Sequence, residues 1–284
     1  MCEFNATPWE MGAVNWRARK EGTRSTARQT GSMHLTVARA LAAIAMIYPL
    51  VAHSQNDTDQ LAVIYDKLTA VKKLPPKSDA DPVGQIECTY YQDIMVRETA
   101  TDTPDPNNAT LVPVPVGASR PACDAAHRPG DITLKTGGFG FVGRKGPFLI
   151  FSAADPNGAV PFKVIDASNG RVIYSDGTAA DRGIHAATVE NGKLHLRYTH
   201  GFNASCSIMQ NAAACWSSLI ERGQLPRAMA KSVPSLQVCT ESYRAEKAPA
   251  DDPSVITYDL DIIIDATGKT EVLSRGAVGC MPVP

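Results

Sequence analysis

The 284 residues are 44% hydrophobic and 20% charged, with a formal net charge of -1. That balance excludes a chain disordered throughout and supplies a core for one or two domains. From Gln55 onward 22 basic residues stand against 26 acidic ones, and apart from Lys72-Lys73 and Arg144-Lys145 the basic residues are scattered singly, so no nucleic acid partner is expected.

Residues 1–32 are Arg-rich, lack apolar periodicity and read as a doubtful N-terminal extension. The simplest account places the start of translation at Met33, with an unusually long basic region as the alternative. Residues 33–54 read as a signal peptide. His34 and Arg39 precede an uncharged apolar run from Ala40 to Val51, and Ala52-His53-Ser54 places small residues at the two positions that fit cleavage after Ser54. A spanning helix needs roughly 20 apolar residues, so no stable transmembrane segment is expected after cleavage. Pro49 argues against a buried core helix. Residues 55–284 are then expected to form a single exported domain, secreted or periplasmic.

From Asp57 to Lys73, Leu61, Ile64, Tyr65, Leu68 and Val71 recur at helical spacing, with Asp57 or Thr58 as cap and Pro75-Pro76 as stop. This pattern predicts a short amphipathic helix. Strands are predicted over 85–97, 131–136, 147–153, 160–167, 171–175, 184–190, 193–200, 254–265 and 270–274, separated by turn chemistry. Residues 99–122, with Pro104, Pro106, Pro113, Pro115 and Pro121, read as a long Pro-rich surface loop or linker. Asn169-Gly170 and Asn191-Gly192 are hairpin signals, because the favoured tight turn needs positive φ at both central residues. A second helix is predicted over 211–222, ended by Gly223 and followed by Pro226. The expected fold class is mainly β: antiparallel sheets, as a sandwich or propeller-like hairpins, with one or two short helices and disulfide bridges.

Cys88, Cys123, Cys206, Cys215, Cys239 and Cys280 all follow the signal, and an even set in an exported chain points to bridges. Sequence leaves the connectivity open; pairing nearest neighbours joins Cys88 to Cys123, Cys206 to Cys215 and Cys239 to Cys280. No C-x-x-C occurs and no His stands at finger spacing from a Cys pair, so neither a zinc site nor redox catalysis is expected.

The segments Val164-Ile165-Asp166-Ala167-Ser168-Asn169-Gly170-Arg171 and Ile263-Ile264-Asp265-Ala266-Thr267-Gly268-Lys269 share an apolar strand, a turn-capping Asp, a Gly and a basic residue. They resemble hairpins common in β-propellers and other repeated-sheet proteins, yet no regular period of roughly 40 residues links them. Gly138-Phe139-Gly140-Phe141-Val142-Gly143 satisfies G-x-G-x-x-G but leads into another strand, where a dinucleotide site requires a helix N-terminus; it reads as a glycine-rich turn, and no cofactor is expected.

His185, His195 and His200 fall in one predicted hairpin. A two-residue turn at Asn191-Gly192 sets His185 opposite Tyr198, puts His200 two residues farther along the same face and turns His195 away. No third ligand can be placed, so the expectation is a half-exposed strand bearing polar rings and not a catalytic centre; the alternative is a carboxylate such as Asp166 or Asp259 brought beside His185. Asp259, Asp261 and Asp265 alternate with Tyr258, Leu260, Ile262 and Ile264, as on a strand with one wet face. No hydrolase nucleophile motif, zinc-protease, Walker or EF-hand pattern is present. Asn56, Asn108 and Asn203 lie in N-x-S/T sequons.

These observations lead to an exported, disulfide-linked, β-rich binding or envelope-associated module with an unassigned ligand or protein partner. A secreted hydrolase using a His/Asp site and an inhibitor presenting the Pro-rich loop are the alternatives.

Overall fold

The computed structural model describes residues 64–76, 84–99, 108–115, 117–153, 158–180 and 183–283. The extension, the signal and residues 57–63 of the expected first helix lie outside the described residues. The chain divides between Val51 and Ala52, and all described residues belong to the second unit.

Strand outweighs helix by 45% to 15%, so the chain is mainly β, and its strands pair antiparallel in two sheets. The first sheet holds β1 (Ala70–Leu74), β2 (Ile86–Tyr90), β3 (Ile94–Thr99), β4 (Ala109–Pro113) and β5 (Ile132–Leu134), paired in chain order. The second holds β6 (Gly140–Lys145), β7 (Phe148–Ser152), β8 (Ala159–Asp166), β9 (Val172–Ala179), β10 (Ile184–Glu190), β11 (Lys193–Asn203), β12 (Ser254–Ile264), β13 (Thr270–Arg275) and β14 (Gly279–Pro282). Its spatial order is β13-β12-β11-β9-β8-β7-β6, with β10 also on β11 and β14 also on β12. An apolar layer joins the sheets: Ile94, Val96, Ala109 and Leu111 of the first pack with Leu149, Phe151 and Ile165 of the second. This is the sandwich form of the expected architecture.

The alternate side chains of the second sheet face the larger core. Phe148, Ile150, Phe162, Val164, Leu194, Leu196, Tyr198 and Ile262 are buried there with Trp216 and Leu219. The latter two belong to α1 (Ile208–Glu221), which Ser207 caps by accepting from Gln210 N–H at 3.2 Å. Asn211 interrupts the helical backbone and its Oδ1 accepts from Ala214 N–H at 3.1 Å, recapping the segment that follows. Gly223 ends α1 with φ of 70°, as its position after the periodic run predicts. A further helix, α2 (Leu236–Glu246), was not expected: Leu236 and Val238 are exposed, so its sequence carries little apolar periodicity, and Cys239 and Tyr243 supply its buried contacts.

The sulfurs meet in three pairs, Cys88 with Cys123, Cys206 with Cys215 and Cys239 with Cys280, at Cα separations of 5.7, 5.7 and 5.1 Å. The first closes a loop over the outer face of the first sheet, where Tyr90, Met95, Val112 and Val114 form a separate apolar cluster. The second staples the approach to α1 onto the helix, and the third ties α2 to β14.

Three expectations about elements fail for identifiable reasons. Residues 70–74 form β1 and not the end of a helix, because β2 offers an unpaired edge and Thr69 N–H donates to Tyr90 O at 2.8 Å to start the pairing. Leu68 and Val71, assigned to the buried face of that helix, are 44% and 46% exposed. The Pro-rich stretch 99–122 is not wholly loop: β4 lies inside it, with Ala109, Leu111 and Val112 buried between β3 and β5. The single strand expected over 85–97 is two strands, turned back at Tyr91–Asp93 with Tyr91 N–H donating to Ile94 O.

The glycine-rich segment makes a turn, where Gly137 and Gly138 take positive φ, and then enters β6. Gly143 stands at a bulge there because the Tyr65 ring lies on it: a Cβ would sit 2.5 Å from the ring. Asn191 and Gly192 have φ of 50° and 73°, the two-residue turn expected of them. Asn169-Gly170 instead belongs to a longer turn in which Asp166 Oδ1 accepts from Ser168 N–H and Asp166 O from Gly170 N–H. Asp265 repeats this self-capping, accepting from Thr267 N–H and Lys269 N–H. The two similar turns touch, since the Arg171 guanidinium donates to Ala266 O at 2.8 Å.

Candidate functional site

β11 runs for 11 residues, as does β12, and its edge away from β12 is served by two neighbours in succession. β10 pairs with it from Glu190↔Lys193 up to Ile184↔Tyr198, and β9 takes over at Thr178↔His200. The Gly183 carbonyl accepting from Thr199 N–H bridges the exchange. The fork between β9 and β10 opens the sheet beside Tyr198, Thr199 and His200, where polar groups gather on both faces.

On the core side, Tyr174 and Asp176 of β9 meet Tyr198 and His200 of β11, each pair spaced two residues apart and so sharing a face. Asp176 is the hub. Its Oδ2 accepts from Tyr174 OH at 3.0 Å, from Tyr198 OH and from His200 Nδ1 at 3.0 Å, while Oδ1 accepts from Gly177 N–H at 2.8 Å. The two phenolic oxygens are 2.7 Å apart. The imidazole lies against Tyr258 of β12, with ring centroids 4.6 Å apart, and Phe202 stands beyond it at 5.9 Å. The side chains of Asp176 and His200 are 20% and 13% exposed, so the pair reaches solvent at its margin.

The charges follow from this environment. Burial opposes ionisation of Asp176, yet the hydrogen bond and charge of His200, then the bonds from Tyr198 and Gly177, outweigh it and hold the carboxyl below its usual range. Burial, reinforced by the adjacent carboxylate, pushes the Tyr174 and Tyr198 phenols far up. Tyr258 is raised to about 12, first by burial and then by Asp176, with Arg275 opposing. All three phenols therefore stay neutral at physiological pH.

On the opposite face, His185 Nε2 lies 2.8 Å from Thr199 Oγ1, and that hydroxyl donates to Asp259 Oδ1 at 2.7 Å. Asp259 Oδ1 is 3.9 Å from the same imidazole nitrogen. These groups border a cleft of about 240 Å³ lined also by Arg197, Asp261, Ser274 and Arg275.

The expected pairing of His185 with His200 on one face is overturned. A bulge between Ile184 and Ala186 inserts His185 as an extra residue and turns it to the face of Thr199 and Asp259, away from His200. His185 nevertheless acquires a carboxylate from another strand, the arrangement entertained for Asp259; Asp166 is occupied by its own turn. Asp259 and Asp261 lie on the wetter face of β12 while Tyr258, Leu260, Ile262 and Ile264 are buried, as their alternation predicts. Sequence reasoning missed Asp176, Tyr174 and Thr199. The available signal was the pair of i, i+2 motifs Tyr174/Asp176 and Tyr198/His200, which two adjacent strands convert into one cluster.

Among the described residues neither His185 nor His200 forms a triad. At His185 a single nitrogen faces both Thr199 and Asp259, so the ring cannot relay between them, and Thr199 is 1% exposed. Among the described residues no serine, threonine or cysteine is hydrogen-bonded to His200, and no group of three or more His, Cys, Asp or Glu is arranged to hold a metal ion. Searches against protein-family models, curated proteins and solved structures found no match to this chain.

Proposed function

We propose that the chain is an exported, disulfide-linked binding module that seats a small polar ligand in the cleft of β11, β12 and β13. The observation carrying this reading is the cleft itself. It is walled by both signs of charge, and Arg197 and Arg275 make no ion pair among the described residues although Asp259 and Asp261 line the same space. Unpaired guanidiniums in a concavity suit a carboxylate- or phosphate-bearing ligand, with the carboxylates and Ser274 available to its donors. Export is supported by the Ala40–Val51 run and by six cysteines brought into three pairs, a usage suited to an oxidising compartment, secreted or periplasmic. Among the described residues no helix is long and apolar enough to cross a membrane. The test is a titration of the labelled protein with amino acids, dicarboxylates and sugar phosphates, followed by amide shifts. Saturable shifts confined to 197–199, 259–261 and 274–276, abolished in Arg197→Ala, are expected; no shift there with any of these compounds overturns the reading.

The secreted-hydrolase reading retains one specific support, the Asp176–His200 pair. The inhibitor reading loses part of its presenting loop, because β4 is built into the first sheet.

A further inference from the structure

We infer that His200 is a proton-accepting centre, with Nε2 as the base and Asp176 as its positioning residue, acting on a ligand that presents an O–H or N–H group. This goes beyond the binding reading, whose cleft lies on the other face of β11 and needs no base.

Counting donors fixes the imidazole. Asp176 has no proton to give while ionised, so every group touching it must donate. Tyr198 OH and Gly177 N–H do so, Tyr174 OH divides one proton between Asp176 and Tyr198, and the remaining contact requires a proton on His200 Nδ1. In the neutral ring the Nε2 lone pair is then free to accept, and no bond to Nε2 is found among the described residues. Tyr258 holds the ring plane, so the base is fixed in tautomer and direction, and the partial exposure of His200 places it where a ligand can reach. His185, whose one described contact nitrogen is shared between Thr199 and Asp259, lacks this arrangement.

The test uses the purified protein and diethyl pyrocarbonate as the probe. Long-range proton–nitrogen correlation spectra should show His200 protonated at Nδ1 with Nε2 bare at mildly alkaline pH. In the modification, the Nε2 lone pair forms a bond to a carbonyl carbon of the reagent while the carbon–oxygen bond to the leaving ethyl carbonate breaks. The Nδ1 proton is lost to solvent, and ethyl carbonate takes up a proton to give ethanol and carbon dioxide. Peptide mapping should find His200 acylated at least tenfold faster in the unaltered protein than in Asp176→Asn, whose amide no longer demands the Nδ1–H tautomer. Tyr198→Phe, which keeps the carboxylate, should retain both the tautomer and the reactivity and serves if Asp176→Asn does not fold. A proton on Nε2, or an unreactive His200 in a protein whose other histidines are acylated, overturns the inference without touching the cleft reading.

Discussion

Asp176 and His200 meet because β9 crosses β11 with no side chain between them. Gly177 and Gly201 face each other at the crossing, where a Cβ on Gly177 would lie 2.5 Å from Gly201 O and one on Gly201 would lie 2.8 Å from Ala179 N. The aspartate next to one glycine and the histidine next to the other are thereby brought to hydrogen-bonding distance. Backbone atoms cannot yield as the end of a flexible side chain can, so Gly201→Ala should destabilise the fold by about 2 kcal/mol or more. Gly192→Ala, at a positive φ but with no atom within 4 Å of the new Cβ, should cost about 1 kcal/mol. Urea midpoints of the two variants check the order.

Removing the Tyr198 hydroxyl takes one strong donor from Asp176 and an acceptor from Tyr174. Tyr198→Phe should cost about 1–3 kcal/mol, because the groups it leaves behind are buried and polar. Tyr174→Phe should cost less, its single proton being divided between two acceptors. Equilibrium denaturation of the two variants and the double variant measures the coupling.

Two carboxylates give the stability opposite dependences on pH. Burial pushes Glu98 up from 4.5 to about 7, with Glu87 adding to the rise and Phe141 N–H and Lys73 opposing it. Because the folded state holds this proton more tightly than the unfolded one, the stabilisation is complete below pH 4.5 and is lost as pH rises toward 7, by at most about 3 kcal/mol. Asp176 acts in reverse: its depressed value contributes stability above pH 3.8 that is lost as pH falls through the folded value. Glu98→Gln should therefore flatten the decline between pH 4.5 and 7 and leave the acid limb in place, as read from denaturant midpoints across pH.

The bridges close loops of unequal length, with sequence separations of 35, 9 and 41. Chain entropy gives about 4 kcal/mol for each long loop and about 3 kcal/mol for the short one. Serine pairs replacing Cys88/Cys123 or Cys239/Cys280 should lower stability more than a pair replacing Cys206/Cys215. Peptide mapping without reductant should recover the three linked pairs, and free thiols at most of the six positions would contradict them.

Processing after Ser54 should leave exported material that begins at Gln55 or within a few residues of it. N-terminal sequencing of that material that finds Met1, or an intact Ala40–Val51 run, rejects this processing.

β7 to β13 were legible from alternation or from β-branched and aromatic runs bounded by turn residues, although β7 is buried on both faces and β13 is exposed along its length. β1, β4, β6 and β14 were not: each is four to six residues long, β4 is flanked by prolines, and β6 opens in the stretch read as a glycine-rich turn. Their strand state comes from edges offered by neighbours, which no local pattern encodes. The candidate site shows the same division. The histidines and Asp259 stood out by residue type, but a one-residue bulge at His185 reversed its face, and Asp176 became its neighbour's partner through a crossing decided by two glycines.

Arg144 binds Asp93 through two nitrogens, lies over the Tyr91 ring at 5.4 Å and comes within 3.9 Å of Asp66, while its carbonyl accepts from Asp66 N–H. Asp66 also accepts from Gly146 N–H across 80 positions of sequence. For a chain that crosses a membrane from its N-terminus onward, this sets an order of events. Asp66 itself emerges early and meets these partners only when β6 and the turn after it have followed. Cys88 and Cys123 both precede β6, so the first bridge can form ahead of the contacts that seat the segment leading into β1.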